Sequence, residues 1–96
     1  MSQIPDSIAR FFTTEGQLRT VPAKAAPREA VLTWLTSEVM RQGETLDEPT
    51  LNLRLRRFHL DAAMLRRYMI EQGLLVRDPS GANYRLPEDS GSANNS

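Results

Sequence analysis

Residues 45–86 read TLDEPTLNLRLRRFHLDAAMLRRYMIEQGLLVRDPSGANYRL, and the order of signals along them decides the fold. Asp47 is placed to cap a helix whose first turn holds Glu48, favourable at the positive end of the dipole, and Pro49, whose missing amide hydrogen costs nothing there. Leu51, Leu55 and Phe58 then fall on one helical face. His59 and Leu60 make a tight turn, Asp61 caps a second helix through Gln72, and Gly73 ends it. Two capped helices joined this closely must cross steeply. The next residues, LLVRDPSGANYRL, carry Asp, Pro and Gly at the first, second and fourth positions of a type I turn, between a short apolar strand and Tyr84 to Leu86. Helix, turn, helix and hairpin in succession are the order of a winged helix-turn-helix: mainly α with a small β-hairpin.

In such a unit the second helix is the usual reader of DNA. Projection at the helical period puts Ala62, Leu65 and Met69 inward, Tyr68 and Arg66 at the borders, and Arg67 nearly opposite the core with Ala63, Met64 and Glu71 beside it. The expected DNA-contacting set is therefore Ala63, Met64 and Arg67 toward the groove, with Arg77 and Arg85 from the hairpin on phosphates. A structural set stands beside it. Asp47 and Asp61 cap, Gly73 and Gly81 serve a helix stop and a turn, and Arg66 packs its methylenes near Ala62 and Ile70 while its guanidinium seeks a carboxylate or carbonyl.

Working outward, Pro27 opens a helix over PREAVLTWLTSEVMRQ, with Leu32, Leu35 and Val39 as the inward stripe, Val31 and Trp34 beside it, and Gly43 as the stop. Trp34, the single tryptophan, is read as core. Before that, Pro5 and Asp6 start an extra short N-terminal helix to Phe12, with Ile8, Phe11 and Phe12 on one side. Glu15 and Gly16 end it, and GQLRTVP is extended. The expected organisation is a docking helix and connector over 1–26, a winged-helix core over 27–86, and a polar, disordered tail over 87–96.

Composition limits the function classes. Twelve basic and twelve acidic residues balance to zero, which argues against an overwhelmingly electrostatic nucleic-acid binder. The distribution is uneven, however: Arg54, Arg56, Arg57, Arg66, Arg67, Arg77 and Arg85 face only Asp61, Glu71 and Asp78 within the helix-helix-hairpin segment, and the acids dominate its flanks. With no cysteine there is no disulfide framework or thiolate zinc site, and no apolar run approaches the ~20 residues of a membrane span. The N-terminus lacks the pattern of a signal peptide, so the expected home is the cytoplasm. The lone His59 has no Cys or second His with which to bind a metal, and neither a phosphate-binding Gly-rich loop nor a Ser/His/Asp set can be placed. The expectation is a protein that is not an enzyme and needs no cofactor or metal.

The stretch from about Phe11 to Leu86 resembles an uncharacterised bacterial family, domain of unknown function twenty eighty-seven. The matched pieces are GQLRTVPAK, the helix containing VLTWL, LDEPTLN, FHLDAAMLRRYMIEQGLLVR and the Gly81 to Tyr84 hairpin. The block of Asp61, Leu65, Arg66, Arg67, Gly73, Leu74 and Arg77 is the most specific. The chain departs from the family pattern across Leu46 to Asn52, where a Tyr and a second carboxylate are missing. The resemblance implies a winged-helix-like fold and an association with transcriptional regulators.

DNA binding in transcription regulation is thus the expected function, with double-stranded DNA as partner. If about four arginines neutralise phosphates, the log–log salt slope of affinity is about −3 to −4. The alternative is a protein-protein interaction module on the same scaffold, docking another protein or a second copy through Ile8, Phe11 and Phe12. The two separate on the arginines: DNA is favoured if they converge on one open face, the interaction module if they disperse or pair with Glu29, Glu38, Glu44 and Glu48.

Overall fold

The computed structural model describes residues 3–88. A 3-10 turn at Ala9–Phe11 leads to α1 (Ala25–Val39), β1 (Thr45–Asp47), α2 (Glu48–Leu55), α3 (Ala62–Glu71), β2 (Val76–Arg77) and β3 (Asn83–Arg85). Three helices thus pack with a small three-stranded antiparallel sheet, ordered β1-β3-β2, in a mixed α/β domain whose element order fits a winged helix. The sheet exceeds the expected hairpin by one strand. Leu46 lies opposite Tyr84 across β1 and β3, and both are buried, so the sheet closes one end of the core. The expected tail falls, beyond Pro87 and Glu88, outside the described residues.

Both helices of the central pair begin where their capping carboxylates predict. Asp47 accepts from the Thr50 amide and Asp61 from the Met64 amide, each at 3.0 Å, which satisfies donors that have no partner inside a helix. Leu51 and Leu55 from α2, and Ala62, Leu65 and Met69 from α3, then enter one core with Val31, Leu32, Leu35 and Val39 of α1. The ends of α1 differ from expectation. It starts two residues before Pro27, because first-turn amides are unpaired in any helix and proline is tolerated there. It stops at Val39, where Met40 turns extended and buries its side chain, earlier than the expected Gln42.

The N-terminal segment docks on the core, with a single 3-10 turn, Ala9–Phe11, in place of a helix running from Asp6 to Phe12. Ile8 and Phe12 are 3 % and 6 % exposed, and Phe12 bridges Leu18 across a tight loop. The Leu18 amide donates to the Phe58 carbonyl at 2.7 Å, fastening this loop to the end of α2. Edge-on contacts of Phe12 with Trp34 (5.4 Å between centroids) and of Trp34 with Phe58 (5.9 Å) continue the seam. Ile8 and Phe12 are therefore spent on the chain's own core, which corrects the expected self-association face; Phe11 packs partly against the same core.

The β2–β3 loop is organised by one carboxylate. Asp78 Oδ1 accepts from Ser80 Oγ at 2.6 Å and from the Gly81 amide at 3.1 Å, and Asp78 Oδ2 accepts from Asn83 Nδ2 at 3.1 Å. These bonds, the Ser80 hydroxyl foremost, hold the Asp78 carboxyl below its ordinary range. Gly81 has φ +78°, a conformation that L side chains rarely adopt, although a Cβ there would meet only Arg77 side-chain atoms at ordinary contact distance. Gly81→Val is accordingly expected to cost about 1–3 kcal/mol of backbone strain, confined to the loop. Amide spectra should shift from Arg77 to Leu86 while core resonances stay dispersed; loss of the core signals would mean that the loop is integral to the fold.

Candidate functional site

Strand register decides which arginines face α3. Cross-strand partners share a face of a sheet and successive residues alternate. Arg77 is paired with the inward-facing Tyr84, so it lies on the side toward α3, its guanidinium 5.9 Å from the Tyr84 ring and its Nε donating to the Gly81 carbonyl at 3.1 Å. Arg85 pairs with Val76 and Thr45 on the opposite face. Between α3 and the hairpin runs an open groove of about 290 Å³ lined by Ala63, Arg66, Arg67, Ile70, Glu71, Arg77 and Tyr84.

The floor of this groove is a polar network. Tyr84 Oη donates to Glu48 Oε1 at 2.7 Å, Glu48 Oε2 lies 3.7 Å from Arg66 Nη2, and Arg66 Nη1 donates to Asn52 Oδ1. Four side chains thus join the first turns of α2, the middle of α3 and the strand β3. Hydrogen bonding from Tyr84, then the positive charge of Arg66, holds the Glu48 carboxyl below its ordinary range, while burial and the bond to Glu48 push the Tyr84 phenol up. The Arg66 side chain is only 17 % exposed, so it braces the groove and offers little to a partner.

The expected contact set is therefore divided. Ala63, Arg67 and Arg77 come together on the groove, with Arg67 and Ala63 exposed. Met64 is half-buried and packs against the core, which corrects its expected outward position: it lies on the flank of α3 that meets neighbouring elements. Arg85 is exposed but leaves the far side of the sheet, which corrects its pairing with Arg77. Of the other arginines, Arg54 donates to the Val39 carbonyl at 2.8 Å and to Glu44 at 3.0 Å, tying α2 to the end of α1. Arg56, the C-cap of α2, and Arg57 in the turn after it are exposed. Among the described residues the ion pairs are Arg54 with Glu44 and Arg66 with Glu48, so Arg67 and Arg77 keep their charge available.

Sequence reasoning placed Glu48 in the first turn of the helix and among the possible arginine partners, but left Tyr84 and Asn52 without a role. The signal that could have found them is a buried-strand tyrosine, whose hydroxyl needs a polar partner. Asp47 and Asp61 are the caps, and His59 Nδ1 accepts from the Asp61 amide at 3.0 Å, an inward task for the single imidazole. Among the described residues no group of three His, Asp or Glu side chains is arranged to hold a metal, and no helix is long and apolar enough to cross a membrane.

Residues 17–86 match the family described as an uncharacterized protein conserved in bacteria (DUF2087). The chain belongs to this family. The match spans every element of the DUF2087 domain from α1 to β3, including all residues of the groove and its network; Ile8 and Phe12 pack onto the domain from outside the matched span. No curated protein and no solved structure is significantly similar to the chain.

Proposed function

We propose that this DUF2087 domain binds duplex DNA through α3 and the β2–β3 hairpin, in the cytoplasm and in the service of transcription regulation. The observation that carries the reading is the groove on which Arg67 of α3 and Arg77 of the hairpin open with no carboxylate partner among the described residues. A capped helix with an outward arginine suits a major groove, and a hairpin arginine beside it suits a flanking phosphate. One such helix covers only a half-site, so specific affinity would come from two copies or from a second DNA-binding module.

The structure lowers the number of phosphate contacts expected from the arginine cluster. Arg54 and Arg66 are engaged in ion pairs, Arg85 points away, and Arg56 and Arg57 lie outside the groove, which leaves Arg67 and Arg77 on the groove for DNA. Titration of mixed-sequence duplex by fluorescence anisotropy should then give a log–log salt slope of about −2. A flat salt response, or no binding at low ionic strength, would discard the DNA reading. The interaction-module reading draws support from two features: Arg54 and Arg66 pair with Glu44 and Glu48 while Arg85 leaves the groove face, the pattern that reading expects, and Leu53, 68 % exposed on α2, is an apolar side chain outside the groove.

A further inference from the structure

The outward side of α3 has a chemistry that limits what it can read. Its sequence, AAMLRRYMIE, contains no Asn, Gln, Ser, Thr or Lys. Of its two arginines Arg66 is held by Asn52 and Glu48, and the half-buried Tyr68 lies under the Arg28 guanidinium, so Arg67 is the exposed hydrogen-bond donor side chain of α3. Beside Arg67, along with Glu71 and Arg77, stand apolar side chains. Ala63 is exposed, Ile70 is 37 % exposed, and Leu60, just before the cap at the N-terminal end of α3, is 87 % exposed. An exposed leucine at the start of α3 and an exposed isoleucine on its groove side are not explained by folding, since neither belongs to the buried core.

In the major groove each base edge presents a distinct pattern, and an apolar side chain can distinguish only one feature of it, the C5-methyl group of thymine. A lone Arg is suited to guanine, whose O6 and N7 accept from both arms of the guanidinium. Resting on the DNA reading above, we infer that α3 recognises a guanine through Arg67 flanked by thymines whose methyl groups pack on Leu60, Ala63 and Ile70. Charge favours DNA over a protein as occupant: two arginines without an ion-pair partner among the described residues line the groove, against the one exposed carboxylate of Glu71 at its end. The alternative occupant, an apolar protein surface, would need the same Leu60 and Ile70 but would make no use of base methyls.

The experiment changes the DNA and leaves the protein intact. Sites are selected from a randomised duplex, and the best is resynthesised with deoxyuridine for thymidine, which removes only the methyl groups. Removing one packed methyl group should weaken binding about fourfold, equivalent to ~0.8 kcal/mol, so removing two should weaken it more than about tenfold. Leu60→Ser with Ile70→Ser, both at exposed positions, should reduce the thymine preference while preserving the salt slope. Equal affinity for thymine and uracil sites, with salt-dependent binding intact, would overturn the methyl readout and leave DNA binding standing. Absence of duplex binding at any salt would overturn both, and would give Leu60 and Ile70 to a protein partner.

Discussion

Leu65→Ala is expected to destabilise the domain by about 2–5 kcal/mol, the range for removing a buried leucine whose surroundings cannot collapse into the space. Leu65 is fully buried in α3, which packs on both α1 and α2, so the cavity would open where three helices meet. For a chain of 96 residues the whole stability is on the order of 5–14 kcal/mol, and the loss is a large part of it. Urea unfolding should show a lower midpoint with little change in slope. Ala63→Ser on the opposite face of the same helix is expected to stay within about 0.5 kcal/mol of the parent. A mild Leu65→Ala beside a severe Ala63→Ser would mean that α3 is rotated, and every assignment to the groove would rotate with it.

Where a feature depends on neighbours in sequence, it could be read in advance. Asp47 and Asp61 reach amides three residues on, and these local interactions delivered the starts of the central helix pair and the stripe of α3; α2 ends at Leu55, so Phe58, expected on its helical face, lies in the turn beyond it. The third strand was different. Glu44 to Leu46 reads as a short link or strand, too short for alternation to decide between them, and Thr45–Asp47 becomes a strand because β3, some 36–40 residues later, presents a free edge beside it. The N-terminal segment shows the same limit. Its apolar spacing suits a helix, but closure of Phe12 onto Leu18 and the bond from Leu18 to Phe58 leave only a single 3-10 turn.

The site was legible on α3 and much less so on the hairpin. Periodicity alone separates Arg66 from Arg67, because a one-residue step turns a helix by about 100°. Arg77 and Arg85 are separated by register, which is set when β3 pairs with two strands at once and buries Tyr84. No local pattern states that Tyr84 will face inward toward Glu48. The bond between them spans 36 positions and exists because a buried phenol needs an acceptor at the place where α2 begins.

Arg66→Ala and Arg67→Ala are expected to have opposite phenotypes, although the residues are adjacent. Arg66 is largely buried, donates to Asn52, lies 3.7 Å from Glu48 and has its guanidinium 5.8 Å from the Tyr84 ring. Its removal leaves Glu48 with only the Tyr84 hydroxyl and strips Asn52 of its donor, so a loss of about 1–2 kcal/mol in stability is expected, with part of the ion-pair energy discounted because Glu48 is 38 % exposed. Arg66→Lys should recover only part of it, since an ammonium cannot serve Asn52 and Glu48 with the two arms of a planar fork. Arg67 has no such partner among the described residues, and its truncation should change stability by less than about 0.5 kcal/mol. In binding the order reverses: with duplex DNA as ligand, Arg67→Ala should weaken affinity by about 1–3 kcal/mol, the range for one bidentate base contact. Melting and anisotropy on the same two variants separate the roles. An Arg67→Ala protein that melts early and still binds would assign the brace to Arg67, and would remove from the groove the charge on which the DNA reading depends.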